Sequence, residues 1–226
     1  RTGRNMTSLI SEITNWLLVA DQTLMLFFNG MHNAFFDKVM WVISSKYFWV
    51  PFYVLLAFYF VRRLGWRRAL VCILLIGLVV TLVDQTCSHL IRPIVQRMRP
   101  SNPDNPLSQY IHIVNVYRGG RFGFPSCHAA NCFSLAILTA VFMRVRWLTA
   151  TMFAWAVTVS YSRIYLGVHY PGDLLSGFLV ASVYASAIGG LYIRYSHRPL
   201  PLPRFFRLPR SAFSWMTSFL GSRSNW

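Results

Sequence analysis

Apolar residues fall into long runs separated by short basic or Gly/Pro-containing connections, and the runs are long enough for helices rather than strands. Between residues 7 and 29, Leu9, Ile13, Trp16, Leu17, Leu24, Phe27 and Phe28 interleave with Glu12, Asn15, Asp21 and Gln22. That pattern predicts an amphipathic helix lying in a membrane interface, with a tilted span as the alternative. Gly30 and Asn33 mark a loop after it. More continuous apolar runs follow at about residues 39–61, 69–90, 128–143, 147–164 and 173–193. Several approach the roughly 20 residues needed to cross a bilayer. Pro51 is expected to kink the first of these spans without breaking it, and Lys46 to snorkel from its end. The pattern therefore predicts an all-α integral membrane protein, a bundle of five to six transmembrane helices with an N-terminal amphipathic helix. Three regions follow: residues 1–38 as the interfacial helix, 39–196 as the transmembrane domain, and 197–226 as a basic cytoplasmic tail that anchors on anionic headgroups.

Composition agrees with this picture. Of 226 residues, 55% are hydrophobic and six are acidic, with a mean hydropathy of +0.43, too apolar for an ordinary soluble domain. A net charge of +16 would ordinarily suggest nucleic acid. Here the basic residues sit in connections between apolar runs, so they read as topology signals and no nucleic-acid partner is expected. With alternating spans, the arginines at 62–68, 144 and 146, and 194–210 share one side, which the positive-inside rule makes cytoplasmic. Arg92, Arg97, Arg99, Arg118 and Arg121 fall on the other side, against the bias, which implies that something anionic is held there. The apolar run at 16–20 is too short for a signal h-region and is cut by Asp21, so no cleaved signal peptide is expected. Cys72, Cys87, Cys127 and Cys132 have no paired metal spacing. A disulfide between Cys87 and Cys127 stays open, because both lie near one membrane face.

Reactive side chains concentrate in three stretches on that outer side: RPIVQRMRP at 92–100, PSCH at 125–128 and SRIYLGVHYPGD at 162–173. Arg92 and Arg99 stand seven apart, about two helical turns, and their planar forks suit phosphate oxygens. Ser126 reads as an N-cap whose first turn aims the backbone N–H groups of Cys127 and His128 at an anion. Taken alone, His128 also reads as a helix-end histidine solvated by headgroups. His169 and Asp173 stand four apart, a spacing at which a carboxylate can fix one imidazole nitrogen and leave the other as a nucleophile. Arg163 can reach the same space. A metal held by His128, His169 and Asp173 is possible by ligand type, but the surrounding arginines disfavour a cation. Asp84 sits inside a span and so has two readings, a functional acid or one bonded to Gln85 or Ser88. The second is preferred, since no base stands at helical spacing on its span. Residues 92–127 form a long polar loop, read as a cover or entrance.

At these residues the sequence resembles the type 2 phosphatidic acid phosphatase superfamily, whose pattern is Lys-x6-Arg-Pro, Pro-Ser-Gly-His and Ser-Arg-x5-His-x3-Asp. The chain carries Arg92-x6-Arg99-Pro100, Pro125-Ser126-Cys127-His128 and Ser162-Arg163-x5-His169-x3-Asp173. Arg92 in place of Lys changes donor geometry, and Cys127 in place of Gly puts a side chain where the family has none. The resemblance implies a membrane lipid phosphate phosphatase working without metal or other cofactor through a phosphohistidine intermediate. His169, His128 and Asp173 would be catalytic. Arg92, Arg99, Ser126, Cys127 and Arg163 would bind phosphate. The implied partners are the bilayer and a lipid phosphate: undecaprenyl diphosphate, phosphatidylglycerophosphate, phosphatidic acid or a lipid A phosphate. The implied location is a bacterial inner membrane with the site on the periplasmic face. The rival readings are a phosphatase of a soluble ester and a non-enzymatic lipid or anion binder.

Overall fold

A computed structural model describes residues 6–196, and the predicted cytoplasmic tail at 197–226 lies outside the described residues. The helices are α1 (Met6–Gly30), α2 (Ala34–Ser44), α3 (Val50–Leu64), α4 (Trp66–Gln85), α5 (Arg92–Val95), α6 (Cys127–Met143), α7 (Arg146–Tyr165) and α8 (Pro171–Ser196). A π-helical segment, Thr86–Ile91, joins α4 to α5. Among the described residues there is no strand, only a single antiparallel bridge between Met98 and Phe122. Contacts divide the chain into residues 1–190 and 191–226. The described part of the second unit is the end of α8, and the packing that follows belongs to the first.

Local chemistry explains where the helices stop. Asn33 caps α2, its side chain accepting from the N–H groups of Phe35 and Phe36 at 3.1 and 2.9 Å. Residues 45–49 then break what the sequence reads as one span at 39–61. Pro51 sits in the first turn of α3, where its missing N–H costs nothing, so it begins a helix instead of kinking one. The break is stabilised by Trp49, whose indole Nε1 donates to the carbonyl of Ile43 at 2.8 Å. Gly65, at φ 75°, turns α3 into α4.

Among the described residues two helices are long and apolar enough to cross a membrane, Trp66–Val95 and Pro171–Ser196, and Cys127–Met143 is apolar but shorter. Large apolar side chains stay exposed on α3, α4 and α8, among them Val54, Leu55, Leu74, Leu179 and Val183, as a lipid-facing surface requires. Inside, α6 packs on α7 and α4, and α7 also meets α1 and α2. Gly177, Ala181, Ala185 and Gly189 form a buried stripe on α8 at every fourth position. A Cβ at Gly177 would meet the Ser126 carbonyl at 2.6 Å, and one at Gly189 would meet Val141 at 3.2 Å. The small residues therefore let α8 lie directly on α6, bringing the start of α8 against the start of α6.

Candidate active site

The three polar stretches meet at one end of these helices. Ser126 caps α6, its Oγ accepting from the N–H of Ala129 at 3.4 Å, and its own N–H donates to the carbonyl of Asp173 at 2.9 Å. The first-turn N–H groups of Cys127 and His128 follow that cap, where a helix leaves its donors without intrahelical partners. From α7 the chain turns through Gly167, at φ 76°, where a Cβ would strike Ile111 at 2.5 Å. The turn delivers His169 just before Pro171 opens α8. The long loop is folded over them: the N–H of Arg99 donates to the carbonyl of Arg121 at 3.1 Å and that of Gly123 to the carbonyl of Arg97 at 2.9 Å.

His169 is 2% exposed. Its Nδ1 lies 3.4 Å from Asp173 Oδ2, and its Nε2 lies 3.2 Å from Arg99 Nη1. A guanidinium can only donate, so Nε2 is the lone-pair nitrogen and Nδ1 carries the proton toward the carboxylate. Burial, followed by the charges of Arg99, Arg163 and Arg92, holds the imidazole well below its ordinary value of 6.5. Arg99 is itself pushed down to about 10 by burial and by Arg163 and Arg92, so it stays charged at neutral pH.

A cavity of about 590 Å³ is lined by Arg92, Arg99, Cys127, His128 and His169, and also by Lys46, Ser44 and Asp84. A neighbouring cavity of about 420 Å³ shares Ser44, Lys46 and His128 and adds Arg163 and Tyr117. Arg163, 3% exposed, donates to Ser44 Oγ and to the Tyr117 hydroxyl at 3.3 Å. Its place is thus in the second cavity. Ser126 and Asp173 are fully buried and line neither; they hold the parts that do. Arg92 donates from Nη2 to Cys127 Sγ at 2.9 Å and to the carbonyl of Pro125 at 3.3 Å. Cys127 Sγ also lies 3.2 Å from Ser88 Oγ. The Nε atoms of Arg92 and Arg163 are buried without a partner, leaving donors at hand for an anion.

Several outcomes differ from the sequence reading. The disulfide left open between Cys87 and Cys127 does not form. Asp84 accepts from Asn131 Nδ2 of α6 at 3.3 Å, not from Gln85 or Ser88, and faces the cavity. Lys46, read as a snorkelling end residue, lines both cavities. Of the outer arginines, Arg118 is turned to the Ser101 carbonyl at 2.7 Å, and Arg97 pairs with Asp21 and Asp173. No local motif marks Lys46, Ser44 or Tyr117, and Arg97, although inside the first stretch, stands at none of its matched positions; their contacts arise only when distant segments meet. Among the described residues no group of three or more His, Cys, Asp or Glu is placed to hold a metal ion.

The model of a family described as the PAP2 superfamily matches residues 69–194. A lipid A 4'-phosphatase of Bacteroides thetaiotaomicron is 48% identical over 160 residues, 71% of this chain and 71% of that one. A lipid A 4'-phosphatase of Porphyromonas gingivalis is 32% identical over 79% of this chain and 75% of its own. Among solved structures, a transmembrane PAP2-type phosphatidylglycerolphosphate phosphatase from Bacillus subtilis superposes with a TM-score of 0.60 at 20% identity. That match covers 82% of this chain and 90% of the other, and at that identity the likeness concerns the fold.

Proposed function

The chain belongs to the PAP2 superfamily, and on that premise we propose that it is an integral membrane phosphatase that removes phosphate from a lipid A-type phosphomonoester. The lipid A reading is supported by the 48% and 32% identity to two lipid A 4'-phosphatases. The catalytic reading is carried by one observation: two histidines and two arginines from three separate stretches line a single cavity of about 590 Å³.

His169 Nε2 attacks phosphorus, forming an N–P bond as the P–O bond to the lipid breaks. Arg99 Nη1 stands 3.2 Å from that nitrogen, so an arriving phosphoryl group takes over the guanidinium in place of the imidazole. Asp173 holds the Nδ1 proton and offsets the positive charge the ring acquires. His128, across the cavity, gives a proton to the leaving oxygen and then takes one from the water that cleaves the phosphohistidine. Arg92 and the N–H groups of Cys127 and His128 complete the cradle, where charge stabilisation supplies much of the rate, while Ser126 holds the first turn of α6 and Arg163 lines the adjoining cavity.

The proposed topology has five spans, α3 (led in by α2), α4, α6, α7 and α8, which puts Arg62, Arg63, Arg67, Arg68, Arg144, Arg146 and Arg194 on the cytoplasmic side. The site is then periplasmic on a bacterial inner membrane. α1 lies in the outer interface. This is supported by two of its residues about 12 Å apart along the axis: Asp21 accepts from the Gly172 N–H at 2.7 Å, and Asn29 donates to the carbonyl of Tyr165 at 2.8 Å. Both partners belong to the site end. Phosphate release from a panel of lipid and soluble phosphates by purified protein tests the function. Lipid A phosphate should be preferred and His169→Ala inactive; equal release by wild type and His169→Ala overturns the phosphatase reading, and preference for a soluble ester overturns the lipid one.

A further inference from the structure

Asp21 has no part in the roles just assigned, yet it is tied directly to the site. Its Oδ2 accepts from Arg97 Nη2 at 2.6 Å and its Oδ1 from the Gly172 N–H at 2.7 Å. Arg97 turns Nη1 to Asp173 Oδ1 at 2.9 Å, with its guanidinium 3.9 Å above the Tyr170 ring. Asp173 keeps Oδ2 for the Tyr170 N–H, at 3.0 Å, and for His169 Nδ1, at 3.4 Å. Charges thus run in a line through Asp21, Arg97, Asp173 and His169. The side chains of Asp21 and Arg97 are 13% and 19% exposed, so water screens the line only partly.

We propose that Asp21, acting through Arg97, is a positioning residue for the Asp173–His169 pair. Two physical effects lead there. With Asp21 in place, one terminal nitrogen of Arg97 is occupied and only the other reaches Asp173. Without it, both are available to the two carboxylate oxygens, a bidentate pairing that draws Oδ2 away from an already long contact with His169. The second effect is charge. Arg97 and Asp173 alone are neutral together, and Asp21 restores one net negative charge beside an imidazole that becomes cationic on attack. Close approach is also required: a Cβ at Gly172 would meet Asp21 Oδ2 at 2.8 Å, so the glycine before Asp173 makes room for the carboxylate of α1. Asp21 lies outside the residues matched by the family model, which makes this a feature of the chain's own N-terminal helix. The inference rests on His169 being the nucleophile.

The test uses the purified full chain in one detergent and the lipid phosphate that wild type hydrolyses. It measures kcat and KM per folded molecule for Asp21→Asn, Arg97→Gln, their double variant, Asp21→Glu and Gly172→Ala. Losing a charge-assisted contact of this kind lowers kcat about tenfold to a hundredfold, with KM within about threefold of wild type. The double variant should be no worse than Arg97→Gln by more than about threefold, since one acts through the other. Asp21→Glu should recover part of the rate, and Gly172→Ala should reproduce Asp21→Asn. Should Asp21→Asn fail to accumulate, Gly172→Ala and Asp21→Glu decide by the same split. An unchanged kcat with a lower melting temperature makes Asp21 a structural clasp and overturns the proposal, as do losses that multiply in the double variant. An inactive His169→Ala beside a fully active Asp21→Asn overturns this inference alone. Activity in His169→Ala equal to wild type overturns the nucleophile reading and this inference with it.

Discussion

Replacing Arg99 with Lys tests the proposed phosphate cradle at its most constrained member. The side chain donates from Nε to the Phe122 carbonyl at 3.1 Å, and from Nη1 to the Val168 carbonyl at 3.3 Å and to His169 Nε2. Two glycines close the slot around it. A Cβ at Gly119 would meet Nη1 at 2.9 Å, and one at Gly123 would meet Cγ at 3.1 Å. The slot is shaped for a planar fork. An ammonium keeps the charge but is one compact donor, unable to hold Phe122 and stand beside Nε2 together. Losing one aimed donor to the transferring phosphoryl group costs about 2.7–4 kcal/mol, or about 10²–10³ in kcat. A carbonyl left without its buried partner costs about 1–3 kcal/mol of stability.

The assay is steady-state phosphate release in detergent micelles, run beside thermal unfolding in the same buffer. Arg99→Lys should lose kcat far more than it raises KM while remaining folded at the assay temperature. A kcat within threefold of wild type, accompanied by the stability loss, would refute the reasoning, because the guanidinium would then serve the loop and not the reaction.

Gly123→Ala should lower kcat without removing any reactive group, since its methyl would stand 3.1 Å from both Arg99 Cγ and Asp173 Oδ2; unchanged kinetics would mean that the loop yields freely. Cys127→Gly removes the sulfur that receives Arg92 Nη2 at 2.9 Å, so KM for the lipid phosphate should rise about tenfold, the worth of one charged hydrogen bond, and an unaltered KM would show that the Pro125 carbonyl alone holds Arg92. Because His169 is held below 6.5, it stays neutral as pH falls through that value, so the acid limb of kcat/KM should lie below pH 6.5. The unfolded chain does take up that proton, so the unfolding free energy should fall as pH drops below about 6.5; a limb centred at or above 6.5 would contradict a buried neutral imidazole. Vanadate, trigonal bipyramidal like the transferring phosphoryl group, should inhibit competitively, and insensitivity would count against His169 as nucleophile.

The helical architecture is legible in the sequence because burial and lipid exposure both demand apolar runs of fixed length, and α4, α6, α7 and α8 fall within a few residues of the runs. The break between α2 and α3 is not legible, since 39–61 is apolar throughout and Pro51 is compatible with a kink or a start. What decides is Trp49 reaching the Ile43 carbonyl, a bond that no propensity records. The same boundary runs through the site. Arg92, Arg99, Cys127, His128 and His169 stand in short motifs at the ends of apolar runs, and reading those runs as alternating spans predicts that these ends share one side, in keeping with their meeting in one cavity. Lys46, Ser44 and Tyr117 reach it from segments with no motif of their own. Arg97 lies within the first motif, yet its partners Asp21 and Asp173 each stand 76 residues away. In the sequence Asp21 only interrupts the apolar run at 16–20 of an amphipathic helix, because its cation and its amide are supplied by distant parts of the chain. A carboxylate in such a helix is costly without partners, and that cost is the one sequence signal that could have pointed to the partners it has.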